Sequence, residues 1–272
     1  MTEIPIHENE SFTLDKEQMD ALRLEAEAIS PSEKEKITER LMRAKSSLLH
    51  SIGSFINPDL KKASLERNFV VTDVETSKEL QKAWEGDSDE SGIVVRHSYA
   101  GENGGILRCF QQDRGNFVVG YFPDWWDKVS NKQESIRGYG SEDAAKDALE
   151  NQVVSLLGSH ELTHQYQNPN LPLWLNEAAA HYYARRNLKK MKIPPLTISE
   201  YEKPANFFQK LLKKYGKSIN ELVFSDPNKV NTIPTEVEGE FTEDVQKDIF
   251  PDLKKEVDFD AIMRSLGIEP KP

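Results

Sequence analysis

The sequence predicts an α+β fold, and three observations predict it. Apolar positions three and four apart dominate the first 67 residues, β-rich runs crowd Phe69 to Phe122, and helical spacing returns at Ser141 and persists past residue 200. Helices flanking a segregated block of strands differ from the regular alternation that builds a parallel α/β sheet.

The N-terminal segment, residues 1–67, reads as helical. Ser30-Pro31-Ser32-Glu33 is a capping box with Pro at the first helical position. Ile37, Leu41, Ala44, Leu48, Ile52 and Phe55 then form one apolar stripe. Asn57-Pro58 stops that helix and caps a shorter one running to about Arg67. The expectation is a helical layer packed on the central part of the chain.

Phe69 to Val74 is a first strand, followed by a short helix capped by Thr76 and Glu79 and an acidic loop from Gly86 to Gly92. Ile93 to Ser98 is a second strand. Ile106 to Gln111 and Asn116 to Phe122 flank Gln112-Asp113-Arg114-Gly115, a hairpin turn signal. The last of these strands is the candidate edge for pairing with an extended peptide. Asp124 to Gly140 is a loop, where Trp125 and Trp126 either line a cleft or lie over the core.

A long helix starts at the N-cap Ser141, with Glu142 and Asp143 suited to its dipole, and ends near Gln167 before Asn168-Pro169-Asn170. Pro172 opens a helix through about Leu188, and Pro194-Pro195 closes that unit. Tyr201 to Tyr215 is a further helix with Gly216 as C-cap. Beyond Pro234 the chain is acidic, with an amphipathic piece from Phe259 to Leu266. The division is 1–67, a central domain over 68–230, and a C-terminal extension over 231–272.

The formal net charge of −11 argues against nucleic acid as a partner, because an acidic surface repels phosphates. The one cysteine, Cys109, sits in an apolar run and supplies neither an internal disulfide nor a Cys-rich metal cluster. Met1 to Glu10 lacks the charged and apolar regions of a signal peptide, and no stretch reaches membrane-spanning length. A cytoplasmic protein without a membrane partner is the expectation.

The chemistry concentrates in His160-Glu161-Leu162-Thr163-His164. On a helix, residues four apart share a face, so both imidazoles reach one ion while the intervening Glu holds a water beside it. Leu149, Val153, Leu156, His160 and His164 fall on one stripe, which places the pair on the buried side. Twelve residues, Gln165 to Asn176, separate His164 from Glu177, which in Trp174-Leu175-Asn176-Glu177 lies among Leu and Ala on its own helix. A buried carboxylate needs a partner, and a metal held by two histidines supplies one.

Ser159-His160-Glu161-Leu162-Thr163-His164 with Trp174-Leu175-Asn176-Glu177 resembles the gluzincin metallopeptidases, in particular the bacterial peptidase-MA-like group, across Gln152 to Tyr183. The resemblance implies a zincin-like domain with a small mixed sheet, an active-site helix and a C-terminal helical lobe. It does not reach the first 67 residues, whose helices are expected to pack outside the cleft or partly shield it. It implies one catalytic zinc ion held by His160, His164 and Glu177, with Glu161 as general base and a peptide or protein as substrate. Ala178 stands where many relatives have Gly, and the Gly-Ala-Met-Glu-Asn motif that grips a free N-terminus in related aminopeptidases is absent. Tyr182, Tyr183, Tyr201 and Tyr215 are candidates for the oxyanion donor, and His181 for a partner of the Glu177 carboxylate. A second reading is a non-catalytic or regulatory interaction module that retains this fold.

Overall fold

The structure is a computed structural model that describes residues 29–66, 68–73, 96–98, 107–111, 117–121, 125–126, 136–168, 170–194, 199–226, 230 and 232–250. In chain order the elements are α1 (Pro31–Ile52), α2 (Pro58–Glu66), β1 (Phe69–Asp73), β2 (Arg96–Ser98), β3 (Leu107–Gln111) and β4 (Phe117–Tyr121). The helices α3 (Glu142–Tyr166), α4 (Leu173–Met191), α5 (Ser199–Tyr215), α6 (Ser218–Val223), α7 (Thr235–Glu238) and α8 (Glu243–Ile249) come after them. This is an α+β arrangement, strands grouped together and helices before and after.

The sheet is mixed, with strand order β1-β4-β3-β2. β3 and β4 pair antiparallel from Gln111↔Phe117 to Leu107↔Tyr121, while the expected turn Gln112-Asp113-Arg114-Gly115 lies outside the described residues. β1 pairs with β4 in parallel. The expectation that Asn116 to Phe122 is an edge strand is therefore corrected: β4 is hydrogen-bonded on both sides, and among the described residues the edges are β1 and β2. A hairpin places its second strand beside the first, but only the non-local return of β1 covers the other side, and no local pattern encodes that.

The central element is α3. Ser141 Oγ accepts from the Ala144 amide as its N-cap. From Gln152 to His164 every residue of the helix is buried. Burial on all faces follows from its neighbours: α1 and α4 pack against it and the sheet contacts it through β2 and β3. The stripe through Leu149 and Val153 is real, but Val154, Leu157 and Leu162 are equally buried on other faces.

The N-terminal helix belongs to that core. Of the predicted stripe, Ile37, Leu41, Ala44, Leu48 and Ile52 are each fully buried, while Phe55 falls beyond the helix end at Ile52 and is half-buried. At the crossing, a Cβ on Gly158 would lie 2.6 Å from Leu41 Cδ2, so the absent side chain is what lets α1 approach α3 two residues before His160. Asn187 of α4 donates both to Ala44 O (2.9 Å) and to Ser159 Oγ (2.8 Å), stitching three helices at this level.

A buried charge fastens the first half of α3. Glu150 accepts from Arg40 Nη1 and is paired with Lys36 Nζ at 2.8 Å, both on α1. Its other oxygen accepts from Tyr121 Oη at 2.6 Å and Trp125 Nε1 at 3.4 Å. Trp126 donates to Glu142 at 2.6 Å, and both tryptophans are buried, on the core side of the two expectations. Burial, with the Glu150 charge beside it, raises the Tyr121 hydroxyl far above its usual range, so it remains a donor.

At the C-terminal end, Trp174 stacks on Phe241 (4.8 Å between centroids, 3° between planes) and meets Phe207 edge-on. Phe250 closes the cluster against Phe207 and Phe241. The extension over 231–272 thus contributes α7, α8 and a buried Phe250, while the expected helix over 259–266 lies outside the described residues. The predicted helix near Thr76 and the acidic loop at 86–92 lie outside them as well.

Candidate metal centre

Three predicted residues come together where the last turns of α3 face the first turns of α4. His160 Nε2 and His164 Nε2 are 3.0 Å apart. Glu177 Oε1 lies 3.3 Å from His164 Nε2, and its Oε2 lies 3.4 Å from His160 Nε2. Helical spacing brings the two rings together, and the antiparallel return of α4 after the short link at 167–172 brings in the carboxylate.

These spacings test whether the donor set suits an ion. Four donors at roughly 2.0–2.1 Å in a tetrahedron stand about 3.3–3.4 Å from one another. The three observed separations fall within a few tenths of an ångström of that edge length. Both rings are buried, while the Glu177 side chain is 25% exposed and opens one side of the group. Buried His and Glu donors here could hold a metal ion, in the groupings His160, Glu161, His164 and His160, Glu177, His181.

Burial raises the Glu177 carboxyl, but the charge of His164 and hydrogen bonds with His160 and His164 outweigh it, holding the group well below the usual carboxylate range. Glu161 is buried beside it, with Oε1 3.6 Å from His160 Nε2. One turn beyond Glu177, His181 Nε2 is 3.9 Å from Glu177 Oε2, and its ring stands 4.5 Å from that of His160. Burial, reinforced by the neighbouring His160, pushes His181 well below the ordinary imidazole range, so its ring is neutral near pH 7.

The tyrosine candidates separate. Tyr183 donates to Asn220 (2.8 Å) from within the core, and burial raises its hydroxyl above the ordinary range. Tyr215 bonds Glu236 O and Glu240 at the far end of α5. Tyr182 accepts from Arg186 and packs on Phe208. The Tyr201 side chain lies outside the description. Leu173, one turn before Glu177 on the same helix, is 52% exposed.

Sequence reasoning missed the groups that hold the site. Gln167 Oε1 lies 2.7 Å from His164 Nδ1, and Asn176 Nδ2 donates to Asn168 O at 3.1 Å. The signal for Gln167 was its place three residues after His164, on the same side of the helix end.

No protein-family model, curated protein or solved structure matches the chain. Among the described residues no helix is long and apolar enough to cross a membrane.

Proposed function

We propose that this chain is a zinc-dependent peptidase of gluzincin type with a zincin-like fold, and that His160, His164 and Glu177 hold one zinc ion. The observation that carries the reading is the convergence of two imidazole nitrogens and a carboxylate at tetrahedral-edge spacing. The mixed nitrogen and oxygen donor set suits zinc better than the all-oxygen shells of calcium or magnesium. Three protein donors leave one position open, which distinguishes a catalytic site from a closed structural one.

Zinc in such a site supplies Lewis acidity and lowers the pKa of water toward neutrality. The rest falls to the chain. Glu161 Oε1, beside His160 on the buried wall, takes the proton of the attacking water and delivers it to the leaving amine. His181, neutral and next to the ligands, is the group placed to donate a hydrogen bond to the oxygen that gains charge during attack. Leu173, exposed one turn before Glu177, offers an apolar surface at the mouth for a substrate side chain.

The experiment is a zinc titration of the purified chain. One ion per chain is expected, with affinity reduced more than about 100-fold in Glu177→Ala, beyond the usual effect of an outer partner. Unchanged zinc content in the His160→Ala, His164→Ala double variant rejects the assignment. Zinc binding without cleavage of any member of a broad peptide library favours the non-catalytic module instead.

A further inference from the structure

We propose that Gln167 is the positioning residue that presets this site, its side-chain amide holding His164 as the Nδ1–H tautomer and tying that ring to the turn that carries Glu177. The proposal rests on the metal-centre reading for its purpose, but the geometry behind it is separate. Gln167 is 5% exposed and follows the last turn of α3 in an extended conformation. Its Nε2 donates to the backbone carbonyl of Asn176 at 2.7 Å. A carbonyl oxygen only accepts, so the amide cannot be turned round: the NH₂ end must face Asn176.

The consequence runs directly to the ring. With Nε2 committed, Oε1 is the atom 2.7 Å from His164 Nδ1, and an amide oxygen only accepts. Nδ1 must therefore carry the proton. In the neutral ring Nε2 keeps its lone pair, and that atom faces His160 Nε2 at 3.0 Å and Glu177 Oε1 at 3.3 Å. One amide thus decides which nitrogen of His164 is available for a metal.

The same amide sets a distance. Asn176 immediately precedes Glu177, so Gln167 links the ligand ring to the peptide unit adjoining the ligand carboxylate. Asn176 Nδ2 braces this link by donating to Asn168 O. His160 is held differently: among the described residues its Nδ1 has no hydrogen-bond partner. His164 is preset for coordination and His160 is not.

Gln167→Met keeps the length of the side chain and removes both hydrogen bonds. Gln167→Glu keeps an acceptor for His164 Nδ1–H and, if protonated, can also donate to Asn176 O. The test is long-range ¹H–¹⁵N correlation on the metal-free full chain labelled at its six histidines, recorded at a pH high enough that the His164 ring has lost the charge it holds beside Glu177, with the His164 signals assigned by their loss in His164→Gln. The expected result is a pure Nδ1–H tautomer for His164 in wild type and Gln167→Glu, and a mixture in Gln167→Met. Zinc affinity by chelator competition should fall about 10–100-fold in Gln167→Met and less in Gln167→Glu. A merely space-filling Gln167 would leave the tautomer untouched. An Nε2–H tautomer in wild type, or unchanged tautomer and affinity in Gln167→Met, overturns the proposal. Absence of zinc binding by a wild type that shows the expected tautomer would reject the metal reading and leave the amide clamp standing.

Discussion

Glu150→Gln is the substitution that most sharply probes how the site helix is held. Glu150 is almost fully buried, and all four of its neighbours are donors: Arg40 and Lys36 on one oxygen, Tyr121 and Trp125 on the other. A glutamine fits the space but must turn its NH₂ toward one of those pairs. Turned to Tyr121, it can be accepted by the rotating hydroxyl, while the Trp125 N–H loses its partner and both cations lose the charge. Removing one member of a buried pair costs about 3–5 kcal/mol. Here Lys36 is 37% exposed and Arg40 also holds Asp147 Oδ1 at 2.7 Å, so both cations remain partly compensated. That lowers the expected loss to about 2–4 kcal/mol. Urea unfolding followed by tryptophan fluorescence should show an earlier midpoint with an unchanged slope. Zinc affinity of the folded protein should persist, since His160 lies ten residues, or about 15 Å of helix, further along α3. A stability loss below about 0.5 kcal/mol, the scale of an ordinary surface change, would refute the claim that this network anchors α3.

Two further outcomes rest on the same geometry. Burial raises the Asp147 carboxyl, but Lys36 and Arg40 more than offset it and hold its folded pKa below the ordinary carboxylate value. Its contribution is then present above the unfolded pKa and lost as pH falls through the folded one, so wild type and Asp147→Asn should converge in stability in acid; because Asp147 is 60% exposed, the gap at neutral pH should be under about 1 kcal/mol. His181→Ala should retain zinc but lower kcat by about 10²–10³, the scale of one lost oxyanion donor, and equal turnover in the variant would remove His181 from the reaction.

The helices were legible wherever local rules suffice. The cap at Ser30, the stripe from Ile37 to Ile52 and the cap at Ser141 all appear as read, because capping and 3.6-residue periodicity are local properties. His160, His164 and Glu161 were legible because one helix fixes their spacing, and Glu177 because a carboxylate on an apolar face demands a partner. What escaped depends on long-range placement. β4 became an interior strand through the non-local return of β1. Lys45, whose side chain carries no inward signal, is 2% exposed and reaches Ser64 O. Glu150 resembled any acidic residue of a helix until Arg40 and Tyr121, 110 and 29 residues away in sequence, were folded onto it. Gln167 escaped because amide orientation is meaningful only once Asn176 O is in place.

The central claim is that the buried group at the α3–α4 junction is a hydrolytic zinc site, and Glu161→Gln tests it most directly. Glu161 is not proposed as a ligand, and glutamine preserves its shape while removing its capacity to take a proton. The measurement is zinc content and peptide cleavage on the same preparations of wild type and variant, using a peptide whose cleavage a chelator abolishes and zinc restores. The account predicts one zinc ion in both proteins and a fall of about 10²–10⁴ in cleavage, carried by kcat and not KM. Equal cleavage by the two zinc-loaded proteins would contradict it.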